Sequence, residues 1–501
     1  LWSDATFDAL GEQTDEWSNK VELADLDGDG DVDILFANGG DYERAGAPEL
    51  NRIFLNEGAA FFTEATESIV GEEPDLGRVI KARDVNGDGL LDILVGTVYG
   101  NQNRLYLNRG DARFEEVTRT HLPESLDSIG DLEAGDVDGD GDLDLVLADW
   151  GEGNPLESDG GRVKLYLNDG EGRFTDATEA MMPARLVQMS WDLEVADLDN
   201  DLDLDIIVSC KVCDSNALYL NDGAGNFTDA SERLPVFHRA DGFSPMDMNR
   251  DGTPENNNYD FEVMDIDNDG FLDLLTINDG DIVGEGGIFH RREHILLNDG
   301  RGAFVDATSE LFMDEANTGF DDNAALFLDY DSDGDADFII GSLDGADRLL
   351  VNTPDGFQLY ETLHGTTAVE EGGNSPGTLG IAVADLNGDG RLDMVQSQGE
   401  LDTPELVFLG TEALAVDTAA PVVELGTARG SARVLARAHD RRSNLLPHHF
   451  TSVELIASDS TTTPMSWMGG YLWEARGAIG EGPWQVCATD RAGNSACADS
   501  L

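Results

Sequence analysis

The stretch Asp25-Leu26-Asp27-Gly28-Asp29-Gly30-Asp31-Val32-Asp33 decides the fold, because it does not occur only once. The same nine-residue pattern, or a close variant, begins again at Asp84, Asp136, Asp197, Asp265, Asp329 and Asp385. Successive copies start 59, 52, 61, 68, 64 and 56 residues apart. A mean period of about 60 residues points to a repeat architecture, whether solenoid, array or propeller.

The surroundings repeat as well. An alternating apolar run precedes each acidic loop, as in Val21-Glu22-Leu23-Ala24, and a β-rich run follows it, as in Ile34-Leu35-Phe36-Ala37. A third run ends in an Asn-x-Gly turn (Leu165-Tyr166-Leu167-Asn168-Asp169-Gly170), and Phe174-Thr175-Asp176-Ala177-Thr178 reads as a fourth strand. Short alternating runs between Gly and Asp turns are strands, and four strands make one propeller blade. The expected fold is all-β: a seven-bladed β-propeller over residues 1–416 and a smaller β-sandwich over 417–501. The seventh repeat lacks its fourth strand after Leu409, and Trp2-Ser3-Asp4-Ala5-Thr6 carries that missing motif at the other end of the chain. The N-terminal strand is therefore expected to complete the last blade, which leaves no open sheet edge.

The loop itself suits calcium, which takes six to eight oxygen ligands in flexible geometry. Side chains at positions 1, 3, 5 and 9 and the carbonyl at position 7 supply oxygens, and glycine at position 6 permits the sharp turn. The first loop offers Asp25, Asp27, Asp29, Asp31 and Asp33; the third, Asp136, Asp138, Asp140, Asp142 and Asp144; the sixth, Asp329, Asp331, Asp333, Asp335 and Asp337. In the fifth, Asp265, Asp267, Asp269 and Asp273 are joined by the carbonyl of Phe271. The second (Asp84, Asn86, Asp88, Leu90, Asp92) and seventh (Asp385, Asn387, Asp389, Arg391, Asp393) exchange one carboxylate for an amide. The fourth keeps Asp197, Asp199, Asp201, Asp203 and Asp205 but has Leu202 where glycine belongs, which predicts a strained, weaker site. Crowded carboxylates repel one another without a cation, so Ca²⁺ is expected in about seven loops. An eighth candidate is Asp247-Met248-Asn249-Arg250-Asp251-Gly252-Thr253-Pro254-Glu255, with Arg250 weighing against it. An EF-hand would place its last ligand at position 12 between helices, which this pattern does not do.

Charge narrows the function. There are 102 acidic residues against 30 basic ones, a formal net charge of −72. Phosphate binding needs clustered Lys and Arg, so nucleic acid and anionic membranes are poor partners. No apolar run is long enough to span a membrane. Four cysteines in two close pairs fit an oxidising compartment, and the numbering is expected to start after a removed signal peptide. Cys210-Lys211-Val212-Cys213 reads as a disulfide closing a loop, with a redox or metal pair as the alternative. His290 and His294 could bind zinc if they lay on a helix, but they lead into a strand, where that spacing is about 13 Å, which weighs against a shared zinc site. His448 and His449 read as surface residues. No nucleophilic triad, phosphate loop or catalytic carboxylate pair stands out, and no enzyme activity is expected.

The repeats resemble the FG-GAP/VCBS family, found in the integrin α-subunit propeller and in secreted bacterial proteins. The resemblance rests on the acidic loops and on the Asn-Asp-Gly-x-Gly-x-Phe-x-Asp-Ala-Thr segment, over about residues 1–412. It implies calcium loops on one face and a ligand on the other. Strand order assigns to that other face the segments Asn38–Leu50, Asp149–Arg162, Cys210–Asn216, Leu234–Tyr259 and Asn278–His294, with Tyr42, Tyr99, Trp150 and Trp191 as aromatic candidates for stacking or anchoring. After Asp417–Pro421, about seven short alternating runs follow the pattern of an immunoglobulin-like sandwich. The segment Ala488–Asn494 looks like the closing hairpin of bacterial Ig-like modules, with Cys487 and Cys497 placed for a cross-strand disulfide. Together these imply a secreted or cell-surface adhesion or recognition protein whose partner is a protein or a glycan. The alternatives are a self-assembling subunit of a surface layer or filament, or a lectin-like propeller.

Overall fold

The computed structural model describes residues 1–11, 16–40, 44–155, 158–211, 213, 215–236, 258–278, 281–284, 287–290, 293–312, 321–343, 345–363, 377–399, 404–428, 433–442 and 447–499. Among these residues strands dominate, and helix is limited to short turns such as Thr66–Ile69 and Thr178–Met181.

Among the described residues, seven four-stranded antiparallel sheets lie between Trp2 and Gly410. In the third, Ile129–Gly135, Asp144–Asp149, Lys164–Asn168 and Phe174–Asp176 lie side by side in chain order. The second strand of that sheet is buried along its whole length, while the fourth buries only Phe174. A strand covered on both faces reads as a continuous apolar run, and Leu145-Val146-Leu147-Ala148 is such a run. The seventh sheet is completed by Trp2–Asp4, with Trp2 opposite Gly410, Ser3 opposite Leu409 and Asp4 opposite Phe408. This is the pairing expected from the permuted motif.

The first strands pack against one another in sequence, and Thr378–Ala384 of the seventh sheet packs beside Ser18–Ala24 of the first. The core is correspondingly divided into clusters between successive sheets. One joins Leu23, Ile34 and Phe36 of the first sheet to Ala382, Val395 and Val407 of the seventh. The architecture is propeller-like.

A second device repeats between neighbours. The amide of Asn108, at the end of a third strand, donates to the carbonyl of Leu26 in the preceding sheet's acidic loop (2.9 Å) and of Leu91 in its own (3.1 Å). Asn168, Asn221 and Asn298 bridge in the same way to Val85, Val137 and Leu198. A buried carbonyl needs a donor, and these amides supply one where no ladder reaches.

Beyond Pro421 two further four-stranded sheets face each other. One contains Val422–Ala428, Arg433–His439, Leu472–Arg476 and Ser466–Gly469; the other Thr462–Pro464, Phe450–Ile456, Gln485–Asp490 and Ser495–Asp499. Val434, Ala436, Trp473 and Ala475 of the first sheet pack on Val453, Leu455, Val486 and Ala488 of the second. Cys487 and Cys497 are directly opposite in register and bonded, and Cys210 is bonded to Cys213.

Candidate functional site

Each acidic loop joins the first strand of a sheet to the second, so all seven project from the same ends of their sheets. Position 9 acts as a bracket. Asp33 Oδ2 accepts from the N–H of Leu26 (2.7 Å) and its Oδ1 from that of Asn56 (2.8 Å). The same two bonds recur at Asp92, Asp144, Asp205, Asp273, Asp337 and Asp393. Position 5 turns the chain by accepting from the N–H of position 7, as in Asp29 with Asp31 (2.9 Å) and Asp88 with Leu90 (3.0 Å). The bracket therefore fixes the loop's two ends, and the turn aims the side chains inward.

Carboxylate oxygens of positions 1, 3 and 5 converge within 4.8 Å in the first, fifth and sixth loops: Asp25, Asp27, Asp29; Asp265, Asp267, Asp269; Asp329, Asp331, Asp333. In the third and fourth loops the converging set takes position 9 instead of 5: Asp136, Asp138, Asp144 and Asp197, Asp199, Asp205. Asp136 Oδ1, Asp199 Oδ1 and Asp335 Oδ1 are buried and accept no hydrogen bond. An orphaned buried oxygen costs about 1–3 kcal/mol, and a cation would satisfy it. Burial pushes Asp136 up to about 6 and Asp144 to about 8; burial together with Asp199 and Asp203 raises Asp201 to about 6. Crowding of this kind favours uptake of a proton or a metal ion. The donor set, all oxygen, fits a hard divalent cation.

The position-6 rule is half of the conformational requirement. Positions 4 and 6 both take a left-handed backbone in every loop, including Gly28 and Gly30 in the first and Asn200 and Leu202 in the fourth. The Gly, Asn or Ser found at position 4 carries that signal in the sequence. Leu202 does hold a positive φ of 69°, a conformation that costs about 1–2 kcal/mol. Its side chain is packed against a cluster containing Leu435, Met468 and Leu472 of the C-terminal sheets, and a Cβ on Gly426 would lie 2.6 Å from Leu202 Cδ1. The leucine thus anchors the C-terminal part.

That part covers the loop face. Arg437 donates to Asp197 Oδ2 (2.9 Å), Asn200 Oδ1 (3.1 Å) and the carbonyl of Gly270 (2.7 Å). Arg476 donates to Asp136 Oδ2 (2.9 Å) and to the carbonyl of Gly139 (3.0 Å). Tyr471 donates to the carbonyl of Val263 (2.5 Å), and the N–H of Asp136 donates to the carbonyl of Met468 (2.7 Å).

Under this cover lies a cavity of about 150 Å³ between the first strands, lined by Lys20, Lys81, Arg83, Asp131, Glu133, Asp192, Glu194, Asp260 and Glu262, with Trp467 and Tyr471 among its walls. Lys20 holds Asp192 (2.6 Å) and Asp131 (3.1 Å). His448 also lines the cavity and is not a surface residue; burial, then the Arg83 guanidinium, push it down to about 4.

The opposite face differs from expectation. Trp150 and Trp191 are 0% and 1% exposed. They meet edge to face at 4.6 Å, Tyr99 meets Trp150 at 6.2 Å, and Tyr259 stacks on Trp191 at 5.6 Å. Arg78 lies 4.6 Å over Trp191. Both tryptophans are therefore packing residues and offer no ring to a ligand, while Tyr99 remains half-buried. Exposed apolar side chains on the connections entering first strands include Leu126 (70%), Leu186 (50%), Phe7 (70%) and Val236 (45%). Tyr42 and the Asp247–Glu255 candidate lie outside the described residues. His294 is half-buried beside Asn278 (3.2 Å). His290 ends a strand of a separate two-stranded sheet, Asp281–Gly284 with Gly287–His290.

No helix among the described residues is long and apolar enough to cross a membrane. Among solved structures, the V. cholerae biofilm matrix protein Bap1 aligns at 10% identity and a TM-score of 0.42, covering 81% of this chain and 89% of that one. The BP39L lectin from Burkholderia pseudomallei aligns at 12% identity and a TM-score of 0.43, covering 77% and 94%. The FG-GAP-like repeat model matches residues 25–95, 84–147, 154–208, 265–340 and 329–395. With these repeats spread over most of its length, the chain belongs to the FG-GAP-like repeat family.

Proposed function

We propose that the chain is a secreted recognition protein: a closed seven-bladed propeller braced by calcium, with an Ig-like sandwich capping the calcium face. It binds a protein or glycan on the opposite face and performs no chemistry. The observation that carries this reading is the cover itself. The C-terminal sheets sit on the acidic loops through Arg437 and Arg476, and on the strand leading into the fifth loop through Tyr471, which leaves the opposite ends of the sheets as the open face of the ring. Two disulfides fit an oxidising, extracellular setting. The seven loops hold about seven calcium ions, each bound by side-chain oxygens at positions 1, 3, 5 and 9, with Asn86 and Asn387 offering amide oxygens at position 3.

The test is binding of the calcium-loaded chain to immobilised glycans and extracellular proteins, repeated with Leu126→Arg/Leu186→Arg and, as a control on an outer strand, Val305→Arg. The reading expects the double variant to lose at least tenfold in affinity and the control to keep it. The reverse pattern would move the site to the rim.

A further inference from the structure

Six arginines of the C-terminal sheets and their connections reach six of the seven acidic loops. Four of these contacts fall on one equivalent atom, the carbonyl of the position-6 glycine. Arg491 donates to Gly30, Arg437 to Gly270 (2.7 Å), Arg441 to Gly334 (2.8 Å) and Arg442 to Gly390 (3.1 Å). In the third loop Arg476 reaches Asp136 and Gly139, with Arg433 3.9 Å from Asp136 Oδ2. Arg437 ties the fifth loop to Asp197 of the fourth, and Arg441 ties the sixth to Asp265 of the fifth (3.5 Å). The cap thus reads the repeat, in four loops at the position-6 carbonyl, an atom whose position depends on how the loop is wound.

We infer that calcium gates this cap: the C-terminal sheets dock only on loops wound around their ions, and docking in turn tightens calcium. This rests on the calcium reading above. The position-6 N–H donates to the position-1 carboxylate, as Gly30 does to Asp25 Oδ2 (2.9 Å) and Gly334 to Asp329 Oδ2 (3.0 Å). The arginine's acceptor, the position-6 carbonyl, shares a peptide plane with the position-7 N–H, and the bond from that N–H to the position-5 carboxylate, as from Asp31 to Asp29 Oδ1 (2.9 Å) and from Asp335 to Asp333 Oδ1 (3.1 Å), sets its direction. Without a cation, four like charges within one loop repel, the loop opens, and the carbonyls leave the arginines. With calcium, a loop bearing four aspartates still carries about −2, so the guanidinium meets a wound and still negative partner. The coupling is reciprocal, because a ligand and a docking event that favour the same state favour each other. Release of the cap would withdraw Trp467 and Tyr471 from the cavity wall, opening it on the loop side.

The experiment uses the full chain and calcium alone as probe. Bound calcium is counted by metal analysis and titrated by calorimetry, while small-angle scattering reports the maximum dimension. Two undocking variants are compared with the parent: Arg476→Ala/Arg491→Ala, at partly exposed positions, and Arg437→Met, which keeps the apolar stem. The expected result is a compact parent that extends in chelator, and variants that extend in calcium while binding it five- to tenfold more weakly. Calcium bound at full stoichiometry with a shape that does not respond to chelator, or variants that bind calcium as tightly as the parent or more tightly, would overturn the gate and leave the calcium reading standing. A parent that binds no calcium overturns both, and the metal count identifies that case.

Discussion

The amide nitrogen of Asn56 donates to the carbonyl of Leu386, 330 residues away, at 2.9 Å. Asn56 ends the third strand of the first sheet, and Leu386 sits in the seventh acidic loop. The bond that links successive sheets through Asn108, Asn168, Asn221 and Asn298 therefore also joins the last sheet to the first. Asn56 also donates to the carbonyl of Val32 (3.1 Å). Asn56→Ala leaves two buried carbonyls without their donor, and urea unfolding is expected to show a loss of about 2–3 kcal/mol. Asn352 makes no such side-chain bond among the described residues, so Asn352→Ala is expected to cost less than about 1 kcal/mol.

Trp150 separates packing from binding. It is fully buried against Leu76, Val98, Met189 and Trp191. Trp150→Ala is expected to destabilise by about 3–5 kcal/mol. Tyr99→Ala, at a half-buried edge-to-face partner, should cost about 1 kcal/mol. If Trp150→Ala folded with parental stability and lost only ligand affinity, the ring would be a contact residue after all.

Glu405 supplies a pH signature outside the loops. It is 2% exposed and accepts from Ser18 Oγ, and burial pushes its carboxyl up to about 7. A folded value above the unfolded one of about 4.3 means that the native state binds the extra proton. Its favourable contribution is thus complete below about pH 4 and is lost as the pH rises towards 7. Glu405→Gln keeps an acceptor for Ser18 and removes the charge. Its melting temperature should exceed the parent's at pH 8 and approach it at pH 5; an equal difference at both would exclude this titration.

The cross-strand disulfide Cys487–Cys497 closes a ten-residue separation in the outer C-terminal sheet. Chain-entropy arguments put a loop of that size at about 2–3 kcal/mol. Cys487→Ala/Cys497→Ala is expected to lower the unfolding free energy of the C-terminal part by that amount, read by hydrogen exchange in Val453–Leu455 and Val486–Ala488. Unchanged exchange there would show that the surrounding packing suffices.

Much of this architecture could be read from residues alone, because it repeats. The seven loops, the four strands and the return of Trp2–Asp4 to the last sheet all follow from local pattern and period. Position 4 was equally legible: Gly28, Gly87, Gly139, Asn200, Asn268, Ser332 and Gly388 are residues that tolerate a left-handed backbone, and all adopt one. The burial of Trp150 and Trp191 was not legible, since an aromatic in a loop looks the same whether it stacks on a ligand or on Tyr259. The arginine cap was hidden for a related reason. Arg437 and Asp197 are 240 residues apart, and an ion pair leaves no periodic trace in either strand. Leu202 looked like a flaw in a metal loop because its partner, Gly426, lies in the other part of the chain.

The most direct test of the central claim is the calcium content and melting temperature of one sample, first in millimolar calcium and then in excess chelator. The loop geometry predicts about seven ions per chain and a large fall in melting temperature when they are removed, since an ion that binds only the folded state stabilises it by mass action. A chain that retains no calcium after equilibration, and melts at the same temperature in both conditions, would contradict the account.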